Sequence, residues 1–250
     1  MNGTYHNHTT WSDGIHTPEE IIEKAISLSF EQIGITDHYY TTKGEINCII
    51  NEQIENYISM IEKLRTQYPQ IKILSGLEID TSLSNPHRFN LPYDLFNKLD
   101  YVLFEYVDEF RKTEKELNIT SDTLRNFTLE ELIKSKKNLT CKVGLAHPNM
   151  LNLIQIYGAE QLAKLLAENK IFVDVCGSKR NARRDIINEQ RGFTLNAECL
   201  GEEFEQAART HKVKFIPSSD THQDSTRDAM KDTLNAIKLI KLNNWQFQKF

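Results

Sequence analysis

Cysteine, proline and glycine are all scarce in this sequence. The 250 residues include 10 glycines, 6 prolines and 4 cysteines, and the cysteines are the widely separated Cys48, Cys141, Cys176 and Cys199. Without a C-x-x-C pair or a glycine period, this pattern excludes a disulfide scaffold and a collagen-like chain. No window approaches the ~18 consecutive apolar residues of a membrane span. We therefore expect a reduced, cytoplasmic protein that does not enter the membrane.

The sequence also lacks an excess of positive charge. It has 30 lysines and arginines against 35 aspartates and glutamates, a formal net charge of −5. This balance gives no general attraction to nucleic acid or anionic lipid, so we expect neither as a partner. Hydrophobic residues make up 39% of the chain, which is enough for one sizeable core and excludes a disordered protein. Partners must then bind at a local site.

Short apolar or β-branched runs alternate with segments of helical periodicity. The best-marked helix begins at Thr17, with Pro18 at its first position and Glu20 three residues after the cap. The predicted strands are Thr4–His8, Gln32–Thr36, Ile71–Ile79, Tyr101–Phe104, Lys142–Ala146, Ile171–Cys176 and Val213–Pro217. About seven such units without a linker favour one α/β domain over residues 1–250, closed into a parallel barrel.

Five of the eight histidines fall at or just after the ends of predicted strands: His6, His8, His38, His147 and His222. Along the first strand, His6 and His8 alternate, so both side chains point to one face. Glu78 and Asp220 stand at two other strand ends. Because the carboxyl ends of barrel strands form one face, we expect all these groups to converge. The remaining histidines, His16, His87 and His211, are interpreted as hydrogen-bonded packing residues.

A convergent set of imidazoles and carboxylates is what borderline divalent metals bind, and this set is too large for one ion. One ion would bind a substrate oxygen as a Lewis acid, and another would acidify a water molecule into a nucleophile. The residues therefore predict hydrolytic chemistry at a di- or trinuclear site. Zinc, manganese and iron all accept mixed nitrogen and oxygen ligands, so the choice among them stays open.

Five short motifs carry these residues. They are His6-Asn-His8 with Asp13-Gly14, Thr36-Asp37-His38, Gly76-Leu77-Glu78, Ala146-His147-Pro148 and Ser219-Asp220-Thr221-His222. Their order and spacing resemble the PHP (polymerase and histidinol phosphatase) family of metal-dependent phosphoesterases. The resemblance covers nearly the whole chain. It implies a distorted (β/α)7 barrel that binds up to three metals, often zinc, manganese or iron, at the strand ends.

The resemblance also implies a ligand set. The first metal would take His6, His8, Glu78 and Asp220. Glu78 would bridge to a second metal that also binds His147. A third metal would take Asp13, His38 and His222. Asp220 and His222 are, in addition, the candidate catalytic residues that relay a proton to the leaving group.

The sequence departs from the family pattern after the fourth strand. Similar family members place a metal-binding histidine where this chain has Val107. Glu105 lies two residues earlier and faces the same side of an extended strand, so it is a candidate oxygen ligand, whereas Asp108 would face the other way. Either Glu105 replaces the histidine, or the second metal binds weakly.

Three residues near the motifs have open roles. Asp37, directly before His38, is either a ligand or a partner that orients an imidazole. Asp174 and Cys176 share one face of the sixth strand. Cys176 is either a thiolate beside zinc or a small buried residue, and neither it nor Asp174 enters the ligand set.

A basic loop follows the sixth strand. Residues 179–184 carry four positive charges, and Arg180 and Arg183 are the candidates for binding a phosphate group bidentately. The alternative is a solvated loop with no role in binding. His87 and Arg88, in the loop after the third strand, are further candidates for the mouth of the barrel.

The function that we predict is metal-dependent hydrolysis of a small phosphate monoester, histidinol phosphate or similar, by a metal-bound hydroxide. Two to three divalent ions would be the cofactors. One alternative is a phosphodiesterase or nuclease acting on nucleotides or short oligonucleotides. Another is a degenerate metal-binding module without catalysis. The oligomeric state is left open.

Overall fold

The computed structural model describes residues 2–41, 47–83, 85–109, 127–177, 201–222 and 229–250. This part of the chain forms an eight-stranded parallel sheet, and its strands pair in chain order. The strands are β1 Gly3–Thr4, β2 Gln32–Tyr39, β3 Lys72–Asp80, β4 Tyr101–Glu105, β5 Lys142–Leu145, β6 Ile171–Cys176, β7 Lys214–Ser218 and β8 Gln246–Phe247.

Backbone hydrogen bonds between the ends of β1 and β7 curl the sheet into a ring. The N–H of Tyr5 donates to the carbonyl of Pro217 at 3.2 Å, and the N–H of His8 donates to the carbonyl of Thr221 at 2.9 Å. β8 adds to the beginning of β7, so seven strands make the ring. The predicted distorted (β/α)7 barrel is confirmed.

The first strand is shorter than the predicted Thr4–His8. Regular pairing ends at Thr4, because the alternation of side chains breaks at the next residue. Tyr5 packs inside the barrel, and the following side chain, His6, also points inward and contacts Glu78. This break lets Tyr5 fill the barrel while His6 and His8 both reach its carboxyl-terminal end.

Helices follow most of the strands. Thr17 caps the first helix as predicted, because its hydroxyl accepts the N–H of Glu20 and the Glu20 carboxylate accepts the N–H of Thr17. The helices are α1 Pro18–Ser27, α2 Asn51–Gln67, α3 Tyr93–Phe96, α4 Leu129–Lys136, α5 Met150–Tyr157, α6 Ala159–Glu168, α7 Gly201–His211 and α8 Thr233–Leu242, with a 3-10 turn at Ala229–Asp232. Among the described residues, no helix combines the length and apolarity needed to span a membrane.

Two apolar cores leave the carboxyl-terminal end of the barrel to polar groups. The larger core lies between the sheet and the helices. The smaller fills the barrel with Tyr5, Leu74, Tyr101, Leu103, Ala146, Phe172 and Ile216. Phe250 stacks on Tyr5 with ring centroids 5.1 Å apart. At Gly144 a Cβ atom would collide with the Phe172 ring, so glycine is required there. Apolar packing thus forms the floor beneath the polar end.

Candidate metal centre

The strand ends bring together the residues that the sequence singled out. His38 lies on β2, Glu78 on β3, and Glu105 is the last residue of β4. His147 and Asp220 follow β5 and β7, and both have left-handed backbone, with φ of 26° and 48°. Such backbone is rare outside glycine and typically marks functional sites. The barrel thus converges side chains that are more than 200 residues apart in the chain.

Glu78 occupies the centre of this cluster and is fully buried. Its Oε2 atom lies 3.0 Å from Nδ1 of His38, 3.3 Å from Nε2 of His6 and 3.4 Å from Nε2 of His8. The other oxygen, Oε1, lies 3.1 Å from Nε2 of His147. One carboxylate therefore presents its two oxygens to different imidazoles, which is the arrangement that a bridging ligand requires.

Asp220 contacts the same histidines from the opposite strand. Its Oδ1 atom lies 3.4 Å from Nε2 of His8, 3.7 Å from Nε2 of His6 and 3.0 Å from Nδ1 of His222. The other oxygen, Oδ2, lies 4.0 Å from Nε2 of His147. The carboxylate of Asp220 thus forms the second acidic side of the cluster.

Asp13 reaches the cluster from the loop between β1 and α1. Its Oδ2 atom lies 3.2 Å from Nε2 of His222 and 3.6 Å from Nε2 of His38. Its Oδ1 atom lies 3.4 Å from Nδ1 of His8. Asp13 and these three histidines form one group of donors, and two of its members, His8 and His38, also contact Glu78.

Asp37 bonds the loop after β1 and is linked through Ser12 to His8, because Oγ of Ser12 lies 3.4 Å from Nδ1 of His8. Its carboxylate accepts the N–H of Thr9 at 2.7 Å and the hydroxyl of Ser12 at 2.6 Å. These bonds hold the loop that carries Asp13. The sequence indicated that Asp37 matters but not that it acts on the backbone of this loop.

The donor atoms form four groups, and within each group they lie within 4.8 Å of one another: His8, Asp13, His38 and His222; His6, Glu78 and His147; His6, His8 and Asp220; His38, Glu78 and Glu105. The Nε2 atoms of His6 and His8 are buried and make no hydrogen bond to the described part of the chain. Carboxylate oxygens of Glu78 and Asp220 lie 3.3–3.7 Å from these nitrogens. A buried set of imidazole nitrogens and carboxylate oxygens is a donor set that zinc accepts. The residues therefore fit divalent metal ions.

The carboxylates raise the pKa of the histidines that face them. Burial lowers the pKa of His147, but the hydrogen bond to Glu78 and the charge of Asp220 outweigh it and raise this pKa to about 9. Burial also opposes protonation of His6, yet Glu78 and Asp174 raise the pKa of His6 well above its usual value. A metal ion must displace protons from these nitrogens.

The pKa values in the group around Asp13 are also shifted by neighbouring charges. Burial alone would raise the pKa of Asp13, but its hydrogen bonds to His222 and His38 hold it well below the usual value. Asp220 raises the pKa of His222 against the effect of burial. His8 differs, because burial and the neighbouring His222 and His38 lower its pKa. Protons and negative charge are thus shared across the whole cluster.

Val107 does not face the cluster. It is 3% exposed and belongs to the apolar core outside the barrel. β4 ends at Glu105, whose Oε1 atom lies 3.5 Å from Nε2 of His147. Asp108 lies away from the cluster and accepts the N–H of Leu129 at the start of α4. Of Glu105, Val107 and Asp108, it is therefore Glu105 that lies beside the candidate ligands.

Asp174 belongs to the site, although the sequence gave no reason to include it among the ligands. Its Oδ2 atom lies 2.8 Å from Nδ1 of His6 and 3.4 Å from the backbone nitrogen of His147. The sequence feature that could have identified Asp174 is its position on the inward face of β6, which it shares with Cys176. Cys176 is 1% exposed and belongs to none of the groups of candidate ligands among the described residues.

The remaining predicted positions are two arginines and three histidines. Arg180 and Arg183 lie outside the described residues. His87 stacks on Tyr40 at the ends of β2 and β3, with ring centroids 4.0 Å apart. His16 lies 3.6 Å from Glu20, and His211 lies 2.6 Å from Glu160. None of these three histidines belongs to the groups of candidate ligands among the described residues. The side chain of His16 is 42% exposed, so His16 is not the packing residue that was expected.

Two known proteins are similar to this chain in sequence. A DNA polymerase/3'-5' exonuclease PolX of Bacillus subtilis is 26% identical over 114 residues, which is 46% of this chain and 20% of that protein. An uncharacterized protein of Methanocaldococcus jannaschii is 23% identical over 227 residues, which is 89% of this chain and 82% of that protein.

The fold matches a solved structure, histidinol phosphate phosphatase from Lactococcus lactis subsp. lactis complexed with zinc, L-histidinol and phosphate. The TM-score is 0.63 at 17% identity, over 100% of this chain and 96% of that chain. The family model of the PHP domain matches residues 4–181, well over half of the sequence. This match spans most of the strand-end residues of the cluster, and the chain therefore belongs to the PHP domain family.

Proposed function

We propose that this protein hydrolyses a small phosphate monoester with the help of two or three divalent metal ions. The observation that carries the proposal is the position of Glu78, whose two oxygens face imidazoles on either side. A multinuclear site of this kind is suited to hydrolysis of phosphate esters. The phosphatase of similar fold contains zinc, L-histidinol and phosphate, so histidinol phosphate is the first substrate to test.

We assign the candidate ligands to three positions. One ion would be held by His6, His8, Glu78 and Asp220, a second by Glu78, His147 and Glu105, and a third by Asp13, His38 and His222. For the second position, Nε2 of His147 lies 3.1 Å from Oε1 of Glu78 and 3.5 Å from Oε1 of Glu105, which supports the assignment. Glu105 also forms a group of possible donors with His38 and Glu78. Zinc, manganese and iron are all compatible with it.

When bound, the ions would polarise the phosphoryl oxygens and lower the pKa of a water molecule that attacks phosphorus. The side chains of the protein supply positioning and proton transfer. Glu78 fixes the spacing of the ligands on its two sides. His222 holds Nδ1 3.0 Å from Oδ1 of Asp220, at the more exposed end of the cluster. We assign this pair to proton delivery to the leaving alkoxide. The leaving alcohol then departs in its neutral form.

Binding of the phosphate by Arg180 and Arg183 stays a prediction from the sequence. Both would offer a planar fork of N–H donors to phosphate oxygens. They follow β6, whose carboxyl-terminal end carries Asp174 and Cys176. A loop that leaves this end of the strand starts on the face that bears the candidate ligands.

The second candidate function is hydrolysis of a phosphodiester. The similarity of 114 residues to the polymerase and exonuclease of Bacillus subtilis favours it, although that segment is a fifth of the bacterial protein. The two functions are separated by turnover of p-nitrophenyl phosphate and bis-p-nitrophenyl phosphate with manganese or zinc. We expect faster turnover of the monoester. A faster diester reaction that disappears in Glu78→Gln would replace the proposal with the diesterase.

A further inference from the structure

The turn after β4 is held by the backbone at the start of α4 and by two side chains from α5. Oδ2 of Asp108 accepts the N–H of Leu129 at 2.9 Å and lies 3.0 Å from the hydroxyl of Tyr157. The carbonyl of Asp108 accepts a hydrogen bond of 2.8 Å from Nδ2 of Asn152. We call Asp108, Asn152 and Tyr157, together with the pair described next, the β4–β5 clamp.

The remaining pair joins the same turn to the residues after β5. Oε1 of Glu109 accepts the N–H of Asn149 at 3.1 Å. Asn149 caps α5 and lies two residues after His147 in the chain. The clamp therefore ties the segment after Glu105 to the segment after His147.

Backbone strain accompanies both segments. Tyr106 and Asp108 have φ of 63° and 59°, and His147 has φ of 26°. A tyrosine in left-handed backbone persists only where its surroundings hold it. The clamp supplies part of these contacts, beside the N–H of Thr81, which donates to the carbonyl of Glu105 at 3.2 Å, and the N–H of Asp108, which donates to the carbonyl of Phe127 at 2.9 Å.

We propose that the β4–β5 clamp positions Glu105 and His147 to bind one metal ion, with Tyr157 as its main positioning residue. The inference rests on the proposed function, which assigns that ion to Glu78, His147 and Glu105. Oε1 of Glu105 lies 3.5 Å from Nε2 of His147, and this separation determines whether both can bind one ion.

The location of the clamp argues for positioning rather than for general stability. Tyr157 lies in α5, the helix that begins three residues after His147, and its hydroxyl reaches the turn after Glu105. It also lies 2.7 Å from Oε2 of Glu130, at the start of α4. Loss of this hydroxyl would loosen the β4 and β5 ends relative to each other while the apolar core remains.

The test is a titration of metal-depleted protein with manganese, followed by electron paramagnetic resonance, in wild type, Tyr157→Phe and Glu105→Gln. Tyr68→Phe is the matched control, because its hydroxyl also bonds a carboxylate, that of Glu23 at 2.9 Å, but between α1 and α2. We expect Tyr157→Phe to lower the manganese affinity of the site that depends on Glu105 by about tenfold or more, as is usual for groups that orient ligands. Tyr68→Phe should leave every manganese affinity unchanged.

The conservative change Asp108→Asn should leave the manganese affinity of the site that depends on Glu105 unchanged, because an amide oxygen can still accept hydrogen bonds from Leu129 and Tyr157. Asp108→Ala should lower that affinity, because it removes the acceptor. Equal manganese affinities in wild type and Tyr157→Phe, even with a lower melting temperature, would overturn the proposal. Absence of any ion that depends on Glu105 would overturn it as well. Turnover of the monoester by wild type would in that case leave the proposed function standing.

Discussion

Oδ2 of Asp174 lies 2.8 Å from Nδ1 of His6, and both side chains are fully buried. A carboxylate on one nitrogen of an imidazole fixes the ring and makes the other nitrogen a better metal ligand. The other nitrogen, Nε2 of His6, points to Glu78 at 3.3 Å and Asp220 at 3.7 Å. Asp174 thus aims His6 at the two carboxylates of the centre.

Replacing this carboxylate should weaken metal binding without removing a ligand. In Asp174→Asn we expect the affinity for the ion at His6 to fall about 10–100-fold, measured by competition with a chelator. Asp100→Asn is the control, because Asp100 is also a bonded carboxylate but accepts from Ser75 at the opposite end of the barrel. An unchanged affinity in Asp174→Asn would show that the contact with His6 has no effect on the metal.

The bridging position of Glu78 predicts the loss of more than one ion on its removal. In Glu78→Gln the amide cannot offer two anionic oxygens, so the metal content should drop by more than one equivalent per chain. Glu105→Gln should lose at most one equivalent. Elemental analysis of the proteins, purified side by side without chelator, measures both. Loss of a single ion in Glu78→Gln would contradict the bridge.

A histidine at position 107 should not restore the ligand that similar proteins have. Val107 lies in the apolar core, so Val107→His would bury an imidazole there, at a cost of about 1–3 kcal/mol. At about 2–4 °C per kcal/mol, thermal denaturation should show a clear drop in melting temperature. The metal content should not increase. A variant of normal stability with an additional ion would show that the turn after Glu105 rearranges.

Metal binding should strengthen as the pH rises towards 9. The pKa of His147 is raised to about 9, and those of His6 and His222 are also raised, so a metal ion must displace their protons. In protein stripped of metal, protonated His147 contributes stability that is fully present below pH 6.5, the unfolded value, and is lost through about pH 9.

Stripped and zinc-loaded protein should therefore respond oppositely to pH. Melting temperatures at pH 6.5, 7.5 and 8.5 should fall for the stripped protein, whereas the stabilisation by zinc should increase. His147→Asn should reduce the pH dependence both of the melting temperature of the stripped protein and of the stabilisation by zinc. A zinc effect that does not change over this range would contradict the protonation of His147.

The basic loop predicts a separate effect on substrate affinity. Arg183→Ala should raise KM for a phosphate monoester by an amount equivalent to about 1.5–3 kcal/mol, because a charge-assisted contact is lost. Arg184→Ala, one residue further along, is the matched control with the same loss of charge. Steady-state kinetics would measure both. If KM changes equally in the two variants, the effect comes from overall charge and not from a fork on the phosphate.

The barrel and the convergence of the ligands could be predicted because both depend on local signals. Strand-length apolar runs ended in histidine or carboxylate, and parallel topology alone places such ends on one face. His6 and Asp220 are more than 200 residues apart in the chain, yet their contact follows from the closure between β1 and β7.

Other features depend on contacts that a single sequence does not contain. The turn after Glu105 has left-handed backbone at Tyr106 and Asp108 without a glycine to indicate it. Glu105 and Val107, which an extended strand would place on one side, therefore lie in different surroundings. The periodicity of β6 placed Asp174 on the inner face but could not show that it meets His6. The single-domain extent, the cytoplasmic location and the phosphate-binding arginines stay predictions.

The measurement that tests the account most directly combines metals per chain with turnover in one sample. Protein purified without chelator would be examined by elemental analysis and assayed with p-nitrophenyl phosphate. We expect two to three divalent ions per chain and hydrolysis that is lost on chelation and in Glu78→Gln. One ion or none, with no turnover after manganese or zinc is added, would contradict the phosphoesterase and leave a metal-binding module without catalysis.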